Sequence, residues 1–167
     1  MPLSAALLPE FDHEMKTTRS LLERVPESKA GWKPHAKSMS LGELASHIAN
    51  LAGWGRYIVA QPELDFAPPG GTPLALPKYR DGAELLERFD ANVAATRAAI
   101  ARASDEDLAG AWTLKNGGRT IFTLPRAAAL RGFMMNHGIH HRGQLSVYLR
   151  LNDVPLPSIY GPTADMS

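Results

Sequence analysis

The positions of its thirteen prolines constrain this chain most, because proline disrupts the interior of a helix. They leave four long proline-free windows, residues 10–25, 35–61, 78–124 and 126–154. Apolar side chains recur in each window at spacings of three and four, which predicts one amphipathic helix per window. Four helices in a chain of 167 residues predict a single all-α domain over residues 1–167, built as a four-helix bundle.

Local signals set the expected ends of these helices. Ser40 and Glu43 form a capping-box pattern at the start of the second helix. Pro9 is expected in the first turn of the first helix, where proline is tolerated. The run Ser104–Asp107 is expected to close the third helix, and residues 112–122 predict a small hairpin or looped excursion. The predicted helices cover residues 7–25, 41–61, 82–103 and 125–151.

The connection between the second and third helices is long and irregular. Residues 62–79 hold five prolines and the pair Gly70-Gly71. Adjacent antiparallel helices need only about 2–8 connecting residues. This connection could extend about 60 Å, whereas a 20-residue helix is about 30 Å long. The loop can therefore return to the far end of the second helix, which predicts a parallel third helix and up-down-down-up order.

The composition narrows the chemistry that the chain can perform. It contains no cysteine, which excludes disulfides, thiolate metal sites and cysteine nucleophiles. The net charge of +1 without a basic run predicts no nucleic-acid partner. Charged residues interrupt the most apolar stretches before about 20 apolar residues accumulate, so we expect no membrane span. The N-terminus lacks the pattern of a secretory signal, so a cytoplasmic location is expected.

Three of the six histidines suggest a metal site. His137 and His141 are four residues apart, so they share one face of a helix, whereas His140 points about 100° away from His141. His47 lies in the apolar stripe of the second helix, at a depth that matches the pair if the two helices are antiparallel neighbours. Neutral imidazoles suit zinc, nickel, copper or iron. Hydrogen-bonded core histidines would give the same pattern, so the residues alone leave both interpretations open.

Three further polar residues near the histidines have candidate supporting roles, although no catalytic residue follows from the sequence. Gln144 lies about one turn beyond His141 and could orient that ring or form a hydrogen bond in the core. Asn50 lies one turn past His47. Arg142 could steer an anionic substrate, or it could form a cap or salt bridge near a dimer face.

Three segments resemble the DinB-like (damage-inducible, YfiT-related) proteins. His-Gly-Ile-His-His-Arg-Gly-Gln at 137–144 and Val-Pro-Leu-Pro-Ser-Ile-Tyr-Gly at 154–161 resemble the C-terminal signature of that family. Leu-Gly-Glu-Leu-Ala-Ser-His-Ile at 41–48 resembles its second helix. The resemblance spans essentially the whole chain and implies a four-helix bundle with up-down-down-up topology and a homodimer. It also implies a divalent transition metal, zinc or nickel first, on His47, His137 and His141.

The same resemblance implies two alternative functions. Relatives include bacillithiol transferases and mycothiol-dependent maleylpyruvate isomerases, in which a thiol is activated at the metal. This implies a metal-dependent transferase or hydrolase of a small molecule, with a low-molecular-weight thiol as co-substrate. The alternative is a non-catalytic, metal-stabilised binding and dimerisation module of the damage or stress response. An open metal position in a solvent-reaching pocket would favour the enzyme, and a buried or saturated cluster would favour the module.

Overall fold

The computed structural model describes residues 1–165, most of which lie in helices. A 3-10 helix covers Glu27–Lys29, and a π-helical segment, Ala129–Met135, leads directly into the last helix. The strands are β1 (Glu63–Asp65), β2 (Ala111–Asn116) and β3 (Arg119–Pro125). The α-helices are α1 (Leu3–Leu22), α2 (Leu41–Leu51), α3 (Trp54–Ala60), α4 (Gly82–Arg102), α5 (Asp105–Ala109), α6 (Arg126–Ala128) and α7 (Asn136–Leu151).

Side-chain caps fix the starts of three helices. The predicted capping box of α2 is present: Ser40 Oγ accepts from the Glu43 backbone N–H, and the Glu43 carboxylate accepts from the Ser40 N–H. Asp81 caps α4 by accepting from the Glu84 N–H at 2.8 Å. Ser104, expected to close the third helix, instead begins the short helix α5 with a second capping box. Asn, Asp, Ser and Thr are favoured at such positions because their side chains accept hydrogen bonds from otherwise unpaired N–H groups.

The predicted second helix is divided into α2 and α3, and α4 supplies the physical reason. Asn92 Nδ2 donates to the Ala49 carbonyl at 2.9 Å, and Thr96 Oγ1 donates to the Ala52 carbonyl at 2.6 Å. A continuous helix would use the Ala49 carbonyl for the Gly53 N–H, which instead donates to Asn50. Side chains of α4 therefore compete with the helical hydrogen bonds at this point.

Two other helical predictions also need correction. The first helix begins at Leu3, so Pro9 lies in its interior rather than in its first turn. Pro9 has no N–H and so removes one helical hydrogen bond there. The predicted fourth helix contains the π-helical segment Ala129–Met135 just before the histidine pair. Such segments are rare and are frequently found at functional sites.

The contacts between helices give their directions. Helix α4 runs parallel to α2, because their hydrogen bonds pair residues in rising order: Ser46 with Arg88, Ala49 with Asn92, and Ala52 with Thr96. Helix α1 runs antiparallel to α4, because ion pairs join them in opposite order: Asp12 with Arg97, and Arg19 with Asp90. Helix α7 is antiparallel to α2 and α3: His47 lies against His137, and Gly55 lies against Met134 of the π-helical segment that leads into α7. The proline-rich connection therefore crosses to the far end of α2.

A three-stranded sheet, in the order β1-β2-β3, shows that the all-α prediction is wrong in one respect. Strands β2 and β3 are antiparallel and turn at Gly117 and Gly118, whose φ angles are 63° and 77°, so the predicted hairpin is present. Strand β1 comes from the proline-rich connection and pairs parallel with β2. The Asp65 carboxylate accepts the Gly117 and Gly118 N–H groups and fastens the turn to β1. Trp112 and Leu114 are buried and join the sheet to the core.

The C-terminal segment after α7 lies back against the helices. Arg24 donates to the Pro155 carbonyl, and Arg150 pairs with Asp165. These contacts hold the segment against the helices, while Met166 and Ser167 lie outside the described residues. Within the described chain, no helix combines the length and apolarity that crossing a membrane requires.

Candidate metal centre

The structure brings together the three histidines that the sequence singles out. Helix α2 supplies His47, and α7 supplies His137 and His141. One ring nitrogen from each lies within 4.8 Å of those from the other two. The ring centroids are 4.5–5.2 Å apart. Antiparallel packing of α2 against α7 is what places the single histidine beside the pair.

The spacing of these nitrogens fits a metal ion. His47 Nε2 and His137 Nε2 are 3.4 Å apart. Two nitrogen ligands of a tetrahedral zinc ion, each about 2.0–2.1 Å from it, lie about 3.4 Å from one another. A hydrogen bond between two neutral rings would account for that pair alone. The convergence of a third ring nitrogen, from His141, is the arrangement that an ion requires.

The environment keeps the three rings neutral. Burial, followed by the neighbouring His141 and His137, lowers the pKa of His47 from 6.5 to about 4. Burial is also the largest cause that lowers the pKa of His137 and of His141. Metal binding requires unprotonated imidazole, so these shifts prepare the cluster for a cation near pH 7. The three-histidine cluster contains no carboxylate, so a divalent ion held there would keep its full charge.

Gln144 supports one of the three rings. Its Oε1 lies 2.7 Å from His141 Nδ1 and can accept the proton of that nitrogen. The hydrogen bond fixes the tautomer in which His141 Nε2 carries the free lone pair. Of the two roles that the sequence suggests for Gln144, this contact fits the one in which it orients the His141 ring. The Gln144 side chain makes the contact from the exposed face of α7. His140, the neighbour on the same helix, is exposed and does not belong to the cluster.

Arg142 does not face a substrate. Its side chain is 1% exposed and pairs with Glu14 at 2.7 Å. It also donates to Thr18 Oγ1 and to the hydroxyl of Tyr160, which in turn donates to Glu14. The structure therefore agrees with the salt-bridge alternative, within the core rather than at a surface. This network joins α1, α7 and the C-terminal segment.

A cavity of about 290 Å³ opens beside His47, and we call it the metal-side cavity. Helix α2 forms one wall, and residues 76–79 of the proline-rich connection form the other. Asn50, the last of the candidates from the sequence, holds the two walls together: its Nδ2 donates to the Pro77 carbonyl at 2.9 Å. The cluster therefore borders a space that a small molecule can enter.

Aromatic side chains pack against the cluster. The Trp54 ring centroid lies 6.5 Å from that of His47 and 6.2 Å from that of His137. Phe133, from the π-helical segment, stacks on Trp54 at 5.0 Å and lies 6.0 Å from His137. Neither carries a functional signal in the sequence, because both follow the apolar spacing of ordinary core residues. Their contacts show that the core extends up to the histidine rings.

The fold and the site together define a class of protein: a mostly helical chain with a small sheet, whose three histidines could hold a metal beside an open cavity. The chain belongs to the DinB superfamily, whose family model matches residues 10–145. The resemblance seen in the three sequence segments is thereby confirmed.

Solved structures agree with this assignment at the level of the fold. A DinB-like protein from Bacillus cereus is similar with a TM-score of 0.69 and 19% identity, over 92% of this chain and 95% of that one. A DinB-like protein from Bacillus subtilis gives a TM-score of 0.69 and 21% identity, over 92% and 96% of the two chains. No curated protein matches the sequence. At these identities the likeness carries the fold and no activity.

Proposed function

We propose that the chain binds one divalent transition metal ion through His47, His137 and His141 and uses it as a transferase or hydrolase of a small molecule. One observation carries the proposal: three neutral ring nitrogens converge beside an open cavity. Three protein ligands are typical of catalytic sites, whereas closed structural sites use four. Zinc and nickel are the first candidates, because neutral imidazole suits both.

The residues around the cluster have complementary tasks in this proposal. The metal, when bound, supplies a Lewis acid that makes water or a thiol nucleophilic at neutral pH. Gln144 orients His141, and Trp54 with Phe133 excludes water from one side of the rings. The metal-side cavity admits the substrate next to His47. The chain has no cysteine, so a reacting thiol would arrive as a low-molecular-weight co-substrate.

Metal stoichiometry tests the proposal directly. Untagged protein should contain or take up one transition-metal ion per chain, measured by elemental mass spectrometry. His47→Ala and His141→Ala should lose it, because two remaining imidazoles hold a divalent ion poorly. His140→Ala is the matched control, since this exposed histidine neighbours a ligand on α7 and should retain the ion. Full retention in both ligand variants would show that the metal is bound elsewhere.

Cobalt substitution distinguishes the enzyme from the non-catalytic binding module. In an open site, an added thiol should enter the coordination sphere and produce a sulfur-to-metal charge-transfer band. A closed site has no position for the thiol and keeps its spectrum. An unchanged spectrum with saturating thiol and with small anions would favour the module of the damage or stress response.

We also propose that two copies form a homodimer in the cytoplasm, with no nucleic-acid or membrane partner. Val147 and Leu151 lie one turn apart on α7 and are 56% and 57% exposed, which gives that helix an unpartnered apolar face. Sedimentation equilibrium at micromolar concentration should give twice the chain mass. A species of 18.1 kDa at every concentration would contradict the dimer.

A further inference from the structure

A second cavity lies under the same proline-rich connection. Its volume is about 270 Å³, and it shares Asn50, Leu76 and Pro77 with the metal-side cavity. Two arginines, Arg56 and Arg88, line it, and no acidic residue of the described chain does. We call it the arginine cavity. The two cavities therefore form neighbouring compartments along α2, one beside a candidate metal centre and one beside two guanidinium groups.

Arg88 is the most informative residue of the arginine cavity. Its side chain is only 10% exposed. Its Nη2 donates to Ser46 Oγ at 3.1 Å, which fixes the guanidinium beside α2. Its Nε makes no hydrogen bond but lies 3.5 Å from Glu84 Oε1 in an i,i+4 salt bridge, and its Nη1 donates to the Lys78 carbonyl at 3.5 Å. Arg88 also lines the cavity, and its guanidinium has five N–H groups, more than these contacts use, so an anion in the cavity could accept from it.

The walls of the arginine cavity are fixed in place. Asn92 is anchored to the Ala49 carbonyl, and Asn50 to the Pro77 carbonyl, both at 2.9 Å. These bonds tie α4 and the proline-rich connection to α2. A ligand entering the cavity would meet groups that are already positioned, which lowers the cost of binding.

Trp54 links the arginine cavity to the candidate metal centre. Trp54 lines the cavity, and its ring centroid is 6.2 Å from that of His137. The indole Nε1 is buried and has no hydrogen-bond partner. A molecule that occupies both compartments would place its two ends on either side of the Asn50–Pro77 contact.

We infer that the arginine cavity binds the carboxylate of the substrate whose reacting group lies at the three-histidine centre. The inference rests on the proposed function and names its substrate class: a small carboxylic acid with an apolar chain. The guanidinium fork matches a carboxylate, and Arg56 adds positive charge at the exposed side. Leu76 and Pro77, which line both compartments, supply apolar contacts for the chain between the two ends.

Calorimetric titration of metal-stripped protein tests the inference. The probes are hexanoate and hexanamide, which share a chain length and differ in charge. Hexanoate should bind at least tenfold more tightly, and Arg88→Gln should remove that preference. Arg102→Gln is the matched control, because it is an exposed arginine on the same helix outside the cavity, and it should leave the preference unchanged. Circular dichroism establishes that each variant is folded, and Arg56→Gln, at an exposed position, should lower hexanoate affinity several-fold.

Several results would overturn the inference. Equal affinity for the acid and the amide, no binding of either probe, or an unchanged preference in folded Arg88→Gln would each do so. Displacement of hexanoate by inorganic phosphate at a lower concentration than by acetate would overturn the carboxylate class. Because the protein carries no metal in this assay, the two proposals fail separately. Carboxylate binding without metal uptake would refute only the proposed function, and metal uptake without the preference would refute only this inference.

Discussion

Gln144 offers the sharpest test of the proposed metal centre, because its side chain contacts His141 without belonging to the core. Its Oε1 is 2.7 Å from His141 Nδ1, and its side chain is exposed. Gln144→Ala removes the acceptor and releases the His141 ring to rotate or change tautomer. Loss of such a partner lowers metal affinity by about 10–100-fold, or about 1.4–2.7 kcal/mol.

The loss should appear in thermal unfolding. A bound metal adds RT ln(1 + [M]/Kd) to the free energy of unfolding, so a tenfold weaker Kd removes about 1.4 kcal/mol in excess metal. For a chain of this length, 1 kcal/mol corresponds to about 2–4 °C in Tm. For a 10–100-fold loss of affinity, the Tm of Gln144→Ala in excess zinc should therefore fall by about 3–11 °C. In chelator its Tm should equal that of the wild-type chain.

A conservative variant separates the orienting hydrogen bond to His141 from other effects of replacing the Gln144 side chain. Gln144→Glu keeps an acceptor at the same position and adds negative charge, so it should bind zinc at least as tightly as the wild-type chain. A competition titration with a metal-binding dye measures both Kd values. The reasoning is refuted if Gln144→Ala binds zinc with the wild-type Kd, or if its Tm falls equally with and without metal.

Three further predictions follow from buried groups and close contacts. In chelator, His47 is protonated near pH 6.5 in the unfolded chain but only near pH 4 in the folded chain. The free energy of unfolding should therefore fall by about 2 kcal/mol on acidification from pH 6.5 to pH 4, after allowance for solvent screening. Urea unfolding should show this loss, and the loss should be smaller in His47→Phe. Arg142→Met should lower the free energy of unfolding by about 3–5 kcal/mol in denaturant titrations, because it leaves the buried Glu14 carboxylate without its cationic partner, yet folded protein should keep its full metal content. A Cβ at Gly55 would lie 2.2 Å from Thr96 Cγ2, so Gly55→Ala should lower the free energy of unfolding by about 1–3 kcal/mol. A Cβ at Gly143 would have nothing within 4 Å, so Gly143→Ala should raise it by about 0.5–1 kcal/mol. Equal values for the two variants would contradict the close packing at Gly55.

The helices were predictable wherever local pattern decides them. The Ser40 capping box and the apolar stripes place the starts of α2 and α4 correctly. The break after α2 was not predictable, because it depends on Asn92 reaching a carbonyl of another helix. Strand β1 has no local signal either: it lies in the proline-rich connection and is defined by pairing with β2, about fifty residues along the chain.

The candidate site was likewise predictable where helix geometry decides it and unpredictable where distant contacts do. The helical repeat brings His137 and His141 onto one face, and the antiparallel helices bring His47 to them. The role of Arg142 depended on Glu14 from a distant helix, so neighbouring residues could not reveal the salt bridge. Arg88 carried no signal at all, since its position beside a cavity depends on the path of the proline-rich connection.

That connection ties the topology of the fold to the proposed chemistry. Its length allows α4 to lie parallel to α2, which sets Arg88 beside Ser46 and next to the histidine-bearing face. Its return path lays residues 74–79 over α2, where they wall both cavities. A short loop would make α4 antiparallel to α2 and would also remove this wall. The proline-rich connection that is kept free of helix therefore also forms a wall of the cavity beside His47, where the proposed substrate would lie.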